Sequence, residues 1–152
     1  MAELVYAVLC QRVIVDQTTN FVSYIDILDG VNVPKLPFAT PPSMVGTIWR
    51  VENENRLEMR VRVVSPKGQA LTEAIANPLD LKPTHLRGRM NVRVPGYEAA
   101  DPGTYRVEID LLRDGSWEQR SELPFQINLT ESVAAPDTKA AVPSKRATKR
   151  AR

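Results

Sequence analysis

Cysteine and histidine offer the most chemistry of any side chains, and this sequence has one of each, Cys10 and His85. A cysteine nucleophile needs a base beside it and a third group to orient that base. Cys10 closes the apolar run 4–10, where a buried, inert thiol is the ordinary occupant. His85 opens an alternating segment on its polar side, and no oxyanion motif accompanies it. A single cysteine excludes a disulfide framework and a cysteine-rich zinc site. The acidic pairs Asp26/Asp29 and Asp110/Asp114 are the nearest approach to a calcium loop, yet neither follows the D-x-D-x-D pattern. There is no glycine-rich phosphate loop, no G-x-S-x-G and no H-E-x-x-H. The sequence therefore predicts no catalytic residue, no cofactor and no metal, and a protein that is not an enzyme.

Arginine is the remaining chemical resource. Arg60 and Arg62 alternate along one predicted strand; Arg87, Arg89 and Arg93 alternate along another. If the two strands are neighbours, five guanidinium groups share a face that can receive phosphate or an acidic partner. The simpler expectation is a solvated face on which these arginines interleave with Glu58, Glu108 and Asp110. A second basic group closes the chain. Residues 133–152 hold Lys139, Lys145, Arg146, Lys149, Arg150 and Arg152 against Asp137 alone, a net of +5. The rest of the chain carries 14 basic and 17 acidic residues, so the overall charge of +2 belongs to the tail. Lys145, Arg146, Lys149, Arg150 and Arg152 are thus candidates for nonspecific nucleic-acid contact, with a solubilising appendage as the plainer expectation.

The elements that must position these residues repeat with a period of two. Leu57, Met59, Val61 and Val63 alternate with Arg56, Glu58, Arg60 and Arg62, the pattern of a half-buried strand. Segment 85–94 repeats it, with Leu86, Met90, Val92 and Val94 on the apolar side. Segment 104–111 places Tyr105, Val107, Ile109 and Leu111 inward. Weaker strands are expected at 4–10, 12–15, 21–28, 44–51, 71–75 and 122–129. Asp114-Gly115 suits the positive-φ positions of a tight hairpin turn, and Pro66-Lys67-Gly68 and 16–20 read as further turns. Pro34, Pro37, Pro41 and Pro42 mark 34–42 as a surface crossing between sheets, because proline cannot serve a central ladder. No three-turn helix is expected.

Eight or nine strands without crossover helices predict an all-β, antiparallel sandwich over 1–131, with a small barrel as the main rival. At 152 residues, 43% hydrophobic and 25% charged, the composition is that of one soluble domain. From 132 to 152 the pattern stops. Six alanines, two prolines and no aromatic cannot offset ordering entropy, so a disordered tail is expected. No apolar run approaches the roughly 18–20 residues of a membrane-spanning helix. Glu3 stands where a secretory signal needs a basic residue, and a cytoplasmic location is expected.

Two resemblances follow. Asp101-Pro102-Gly103-Thr104-Tyr105 resembles the Asp-x-Gly-x-Tyr start of a late strand in immunoglobulin-like sandwiches, whose tyrosine hydroxyl bonds back to upstream backbone. Val107 replaces the cysteine of that pattern, and Trp49 matches its core tryptophan, so the resemblance implies a disulfide-free immunoglobulin-like sandwich. More widely, Val5 to Cys10 followed by Val13, then 24–30, the proline-rich 34–42 and the Pro102-Gly103-Thr104-Tyr105-Arg106 hairpin resemble a family of small bacterial proteins of unknown function with a β-sandwich fold. That similarity spans about 3–129 and carries over no catalytic residue. The expected function is a protein-binding or assembly module with an unidentified protein partner and no membrane contact. The alternative is a nucleic-acid-associated protein that uses the basic tail. Loops 16–20, 34–42, 77–84 and 95–102 are where contacts are expected.

Overall fold

A computed structural model of the chain describes residues 1–130. The predicted tail lies outside the described residues. Every regular element described is a strand: β1 (Ala2–Val15), β2 (Val22–Ile27), β3 (Gly30–Val33), β4 (Phe38–Ala39), β5 (Ser43–Val51), β6 (Arg56–Leu57), β7 (Met59–Val64), β8 (Ala70–Ile75), β9 (Leu79–Asp80), β10 (Arg87–Val94), β11 (Glu98–Ala99), β12 (Gly103–Arg113) and β13 (Ser116–Leu129). Nine of them build two sheets, in the orders β10-β5-β1-β2 and β3-β13-β12-β7-β8. The pairs β4–β11 and β6–β9 tie down loops at the ends of the sheets.

Period-two alternation explains how the sheets meet. β7 turns Met59, Val61 and Val63 inward, and β12 turns Tyr105, Val107, Ile109 and Leu111 inward. From the other sheet come Val45, Thr47, Trp49 and Val51 of β5 and Met90, Val92 and Val94 of β10. The apolar side chains of both sets join one core cluster, so the two sheets stack face to face. Trp49 is fully buried, as expected for a core tryptophan. Its indole N–H donates to Thr47 Oγ1 at 2.9 Å, and Thr47 Oγ1 donates to the Met90 carbonyl at 3.1 Å. The chain Trp49–Thr47–Met90 thus satisfies the polar atoms that the core would otherwise strand.

The Tyr105 hydroxyl donates to the Asp101 carbonyl at 2.7 Å, the bond that the resemblance of Asp101-x-Gly103-x-Tyr105 implies. The hairpin between β12 and β13 turns through Asp114 and Gly115, both at positive φ (47° and 79°), again as expected.

Several boundaries differ from the expectations. Segment 56–64 breaks at Glu58, because Arg56 and Leu57 pair with Asp80 and Leu79 while Met59 onward pairs with β12. Segment 85–94 begins only at Arg87, and Leu86 is exposed instead of core-facing. Gly88 takes the inward position there, since a side chain at Gly88 would meet Leu79 and Leu57. Runs 4–10 and 12–15 form one strand, β1. The sandwich is not wholly antiparallel. Gly30–Val33, unassigned by the alternation pattern, runs parallel to the end of β13. The reason is topological: the chain leaves β2 on one sheet and crosses to the edge of the other.

Acid will loosen one corner of this fold. Glu54 lies 3.0 Å from the N-terminal ammonium and 2.6 Å from Arg113. Burial pushes its carboxyl up, but Arg113 and the ammonium outweigh burial and hold it below its ordinary value. A depressed carboxylate stabilises the fold above its unfolded pKa and loses that contribution as pH falls through the folded one. Denaturant midpoints measured from about pH 6 down to pH 3 should therefore fall less steeply in Glu54→Gln than in the parent. Parallel curves would show that Glu54 carries no linked proton.

Candidate functional site

The two arginine groups do not share a face. Arg60 and Arg62 belong to β7 of the five-stranded sheet; Arg87, Arg89 and Arg93 belong to β10 of the four-stranded sheet. The face of five guanidiniums is thereby replaced by two separate surfaces of different character.

The first surface is self-neutralised. β12 sets Glu108 opposite Arg62 and Asp110 opposite Arg60 on the outer side of its sheet. Arg60 Nη2 reaches Asp110 Oδ2 at 2.5 Å, and Arg62 Nη2 reaches Glu108 Oε2 at 2.9 Å. Glu73 on β8 approaches Arg60 at 3.5 Å, and Arg106 lies 3.7 Å from Glu108 and 3.8 Å from Glu122. The Arg60 guanidinium also sits 4.8 Å above the Trp117 ring, which shields the pair from water. Asp110 is consequently only 1% exposed although it faces away from the core. Arg62 Nε stands 3.3 Å from Asp110 Oδ2 outside hydrogen-bond geometry, and Asp110 Oδ1 has no hydrogen-bond partner. This lattice binds itself and leaves little charge for a ligand.

The second surface carries an unexpected element. β10 and β2 are opposite edges of one sheet, yet Arg89 on β10 donates to the Asn20 carbonyl at 3.2 Å and to Asn20 Oδ1 at 2.6 Å. Asn20 is at the tip of the β1–β2 hairpin. The hairpin therefore folds back across the outer face of its own sheet. Two further contacts agree. The Tyr24 ring lies against Gly46 of β5, where a Cβ would stand 2.3 Å from Tyr24 Cε1. Tyr24 also meets Tyr6 edge-on, with ring centroids 6.2 Å apart. The tip is held by Asp16, whose Oδ1 accepts the N–H groups of Thr18 and Thr19 at 2.8 and 2.7 Å. Folding over the sheet leaves apolar groups on the arm in water: Ile14, Val15, Phe21 (75% exposed) and Ile27 (66%).

Between the arm and the end of the sheet runs a groove of about 490 Å³, lined by Arg12, Val13 and Ile14 from the arm and Pro42, Met44 and Arg93 opposite. Arg12, Arg87, Arg89 and Arg93 have no acidic partner within 4 Å among the described residues. Arg50, beside Arg87 in the ladder, is paired to Glu3.

A smaller cavity of about 180 Å³ opens between the two sheets. Leu9, Val31, Phe38, Val63, Val107 and Phe125 make its walls. Thr40 and Tyr97 bond across its mouth: the Tyr97 N–H donates to Thr40 Oγ1 at 3.0 Å and the Thr40 N–H to the Tyr97 carbonyl at 2.9 Å. Two of the expected contact loops, 34–42 and 95–102, are thereby joined. Tyr97 is the one ionisable group in the lining, and burial pushes its phenol up to about 12. It stays neutral at physiological pH.

Cys10 and His85 do not form a pair. Cys10 is fully buried, opposite Ile27 on β2 and Met44 on β5. Its thiol donates to the Arg12 carbonyl at 3.3 Å. Burial pushes the thiol pKa up, against smaller opposing effects of the Arg12 and Ile25 backbone. His85 is in an exposed turn, where Nδ1 accepts the Lys82 N–H at 3.1 Å. The native protein should resist thiol reagents, with labelling rising to full extent only as the fold is unfolded by denaturant; rapid stoichiometric labelling in buffer would contradict the burial of Cys10. Among the described residues, no group of three or more His, Cys, Asp or Glu is placed to hold a metal ion. Of the acidic pairs, Asp110 is held in the arginine lattice and Asp114 in the hairpin turn. No helix among the described residues is long and apolar enough to cross a membrane. Lys145, Arg146, Lys149, Arg150 and Arg152 lie outside the described residues.

Residues 5–128, from β1 nearly to the end of β13, match a family of unknown function, DUF6941. The chain belongs to the DUF6941 family. No curated protein matches this DUF6941 chain. Eleven chains of solved structures do match. One is the crystal structure of a glycosyl hydrolase family 2 (GH2) member from Bacteroides cellulosilyticus DSM 14838, 15% identical with a TM-score of 0.43. The alignment covers 61% of the DUF6941 chain and 14% of that chain, and a likeness at this level carries no argument about activity. The DUF6941 sequence held one signal of the folded-back arm. Gly46 interrupts a strand pattern, and an isolated strand glycine marks a close approach by another group. The groove had no such signal, because Arg12 and Arg93 are 81 positions apart in the sequence.

Proposed function

We propose that this DUF6941 protein is a non-enzymatic protein-binding or assembly module that works in the cytoplasm. The observation that supports this reading is the β1–β2 arm. β2 is bonded on one side only, to β1, among the described residues. Its open edge is flanked by exposed Phe21 and Ile27. An open edge offers a row of backbone donors and acceptors to an incoming strand, and adjacent apolar side chains supply burial. The mostly apolar lining of the sheet-to-sheet cavity suits the same reading.

The test is cross-linking in the native host with a photoreactive residue at position 27, compared with the same protein carrying Phe21→Asp. A defined cross-linked partner that is lost on Phe21→Asp is expected. No cross-linked protein, or one indifferent to Phe21→Asp, refutes the reading.

The charge asymmetry of the sequence favours a second reading, in which Lys145, Arg146, Lys149, Arg150 and Arg152 hold nucleic acid. About five phosphate contacts would make log K fall by about 4 per decade of salt. A mobility shift without that salt dependence, or one that survives conversion of these five residues to glutamine, excludes the tail as the site.

A further inference from the structure

We propose that the groove beneath the β1–β2 arm binds an acidic, apolar-flanked peptide segment of a partner protein. The proposal rests on the reading of this chain as a protein-binding module and names the partner's chemistry.

Charge complementarity points to the occupant. Arg12 stands on one side of the groove and Arg93 on the other, and no lining residue is acidic. Arg60 and Arg62, by contrast, are neutralised by Asp110 and Glu108. Guanidinium groups left without carboxylates on either side of one groove can each bind a carboxylate through paired N–H donors. Between them the lining is mostly apolar, with Val13, Ile14, Pro42 and Met44 beside the polar Gln11 and Ser43. An inorganic anion would leave that apolar surface unused. A peptide with carboxylates beside aliphatic side chains would use both. The groove's roughly 490 Å³ lies within the about 300–1,000 Å³ of ligand sites. No aromatic side chain lines it, so it lacks the stacking platform with which single-stranded nucleic acid is gripped.

The experiment uses the full chain and a fluorescein-labelled octapeptide of alternating glutamate and leucine. Controls are the same peptide with glutamine for glutamate, and a twelve-nucleotide oligothymidylate. Three proteins are compared by anisotropy at low and physiological salt: the parent, Arg12→Gln/Arg93→Gln, and a variant with Lys145, Arg146, Lys149, Arg150 and Arg152 all changed to glutamine. The acidic peptide should bind the parent and bind the Arg12→Gln/Arg93→Gln protein about tenfold more weakly or worse, while the tail variant keeps most of its affinity. The glutamine peptide should bind weakly, and salt should weaken the acidic peptide.

Absence of acidic-peptide binding overturns the proposal. So does binding lost only in the tail variant, or oligothymidylate that competes at equal concentration. If Arg12→Gln/Arg93→Gln melts well below the parent, amide shift changes in the parent on peptide addition decide instead. Changes centred on Val13 and Met44 support the groove, and changes elsewhere overturn it. A cross-linked partner at position 27 combined with no peptide binding would reject this proposal alone and leave the protein-binding reading standing.

Discussion

Changing Asp110 to alanine should destabilise the protein by about 3–5 kcal/mol, with a melting temperature lower by roughly 10 °C. Asp110 points away from the core, so hydropathy alone would class it as a tolerant surface position. Its environment says otherwise. It is 1% exposed and is contacted by both Nε and Nη2 of Arg60 at 2.9 and 2.5 Å. Removing the carboxylate leaves the largely buried Arg60 guanidinium, stacked on Trp117, with only the more exposed and more distant Glu73 as counter-charge. The cost comes from stranding that charge and not from the intrinsic strength of the pair. A double substitution separates the two. Arg60→Met with Asp110→Leu removes both charges and keeps most of the volume, so it should cost less than Asp110→Ala alone. Denaturant midpoints of the three proteins check the order. A double variant as unstable as the single one would mean that the pair's own attraction dominates.

Trp49→Ala should cost a similar amount, about 3–5 kcal/mol, by a different route. Trp49 is fully buried among the side chains of both sheets, and its removal opens a cavity that the stacked sheets cannot collapse to fill. It also removes the indole donor from Thr47, whose hydroxyl still has the Met90 carbonyl to bond. Trp49→Phe keeps most of the ring and should recover more than half of the loss. Urea unfolding of both variants is the measurement, and a small effect of Trp49→Ala would show that the core is loosely filled around β5.

Much of this was legible residue by residue. Leu57, Met59, Val61 and Val63 alternate with charged neighbours because one face of β7 is dry and the other wet, and that contrast is written in side-chain type. The resemblance of Asp101-x-Gly103-x-Tyr105 to immunoglobulin-like sandwiches implied the Tyr105–Asp101 hydrogen bond, and a motif can carry that bond because it spans only four residues. Asp114 and Gly115 announced their turn because few residue pairs tolerate two positive φ angles. Leu86 misled, since an apolar type at the right parity does not guarantee that the strand extends that far; Leu57, Leu79 and Leu81 already surround the inward Gly88 there.

The candidate site was less legible. Arg60 with Arg62, and Arg87 with Arg89 and Arg93, have the same local pattern, yet one set is neutralised by β12, while the other has no carboxylate within 4 Å among the described residues and sends Arg93 to the groove. Nothing within either strand distinguishes them. The difference is which strand lies alongside: β12 brings Glu108 and Asp110, and β5 brings Met44, Ile48 and Arg50. The return of the hairpin over Gly46 likewise depends on contacts between Asn20 and Arg89, 69 residues apart.

The order of amino acids by itself settled an all-β chain and its principal turns, because both follow from neighbours within a few positions; composition fixed the scarcity of cysteine and histidine, and the burial of Trp49 was implied by resemblance. Strand adjacency, the parallel edge at Gly30–Val33, the arm lying over its own sheet and the groove between Arg12 and Arg93 were decided only in three dimensions. Alternation specifies which way a side chain points from its strand. It is silent on which strand will be hydrogen-bonded beside it, since that choice is made by pairing across the whole chain.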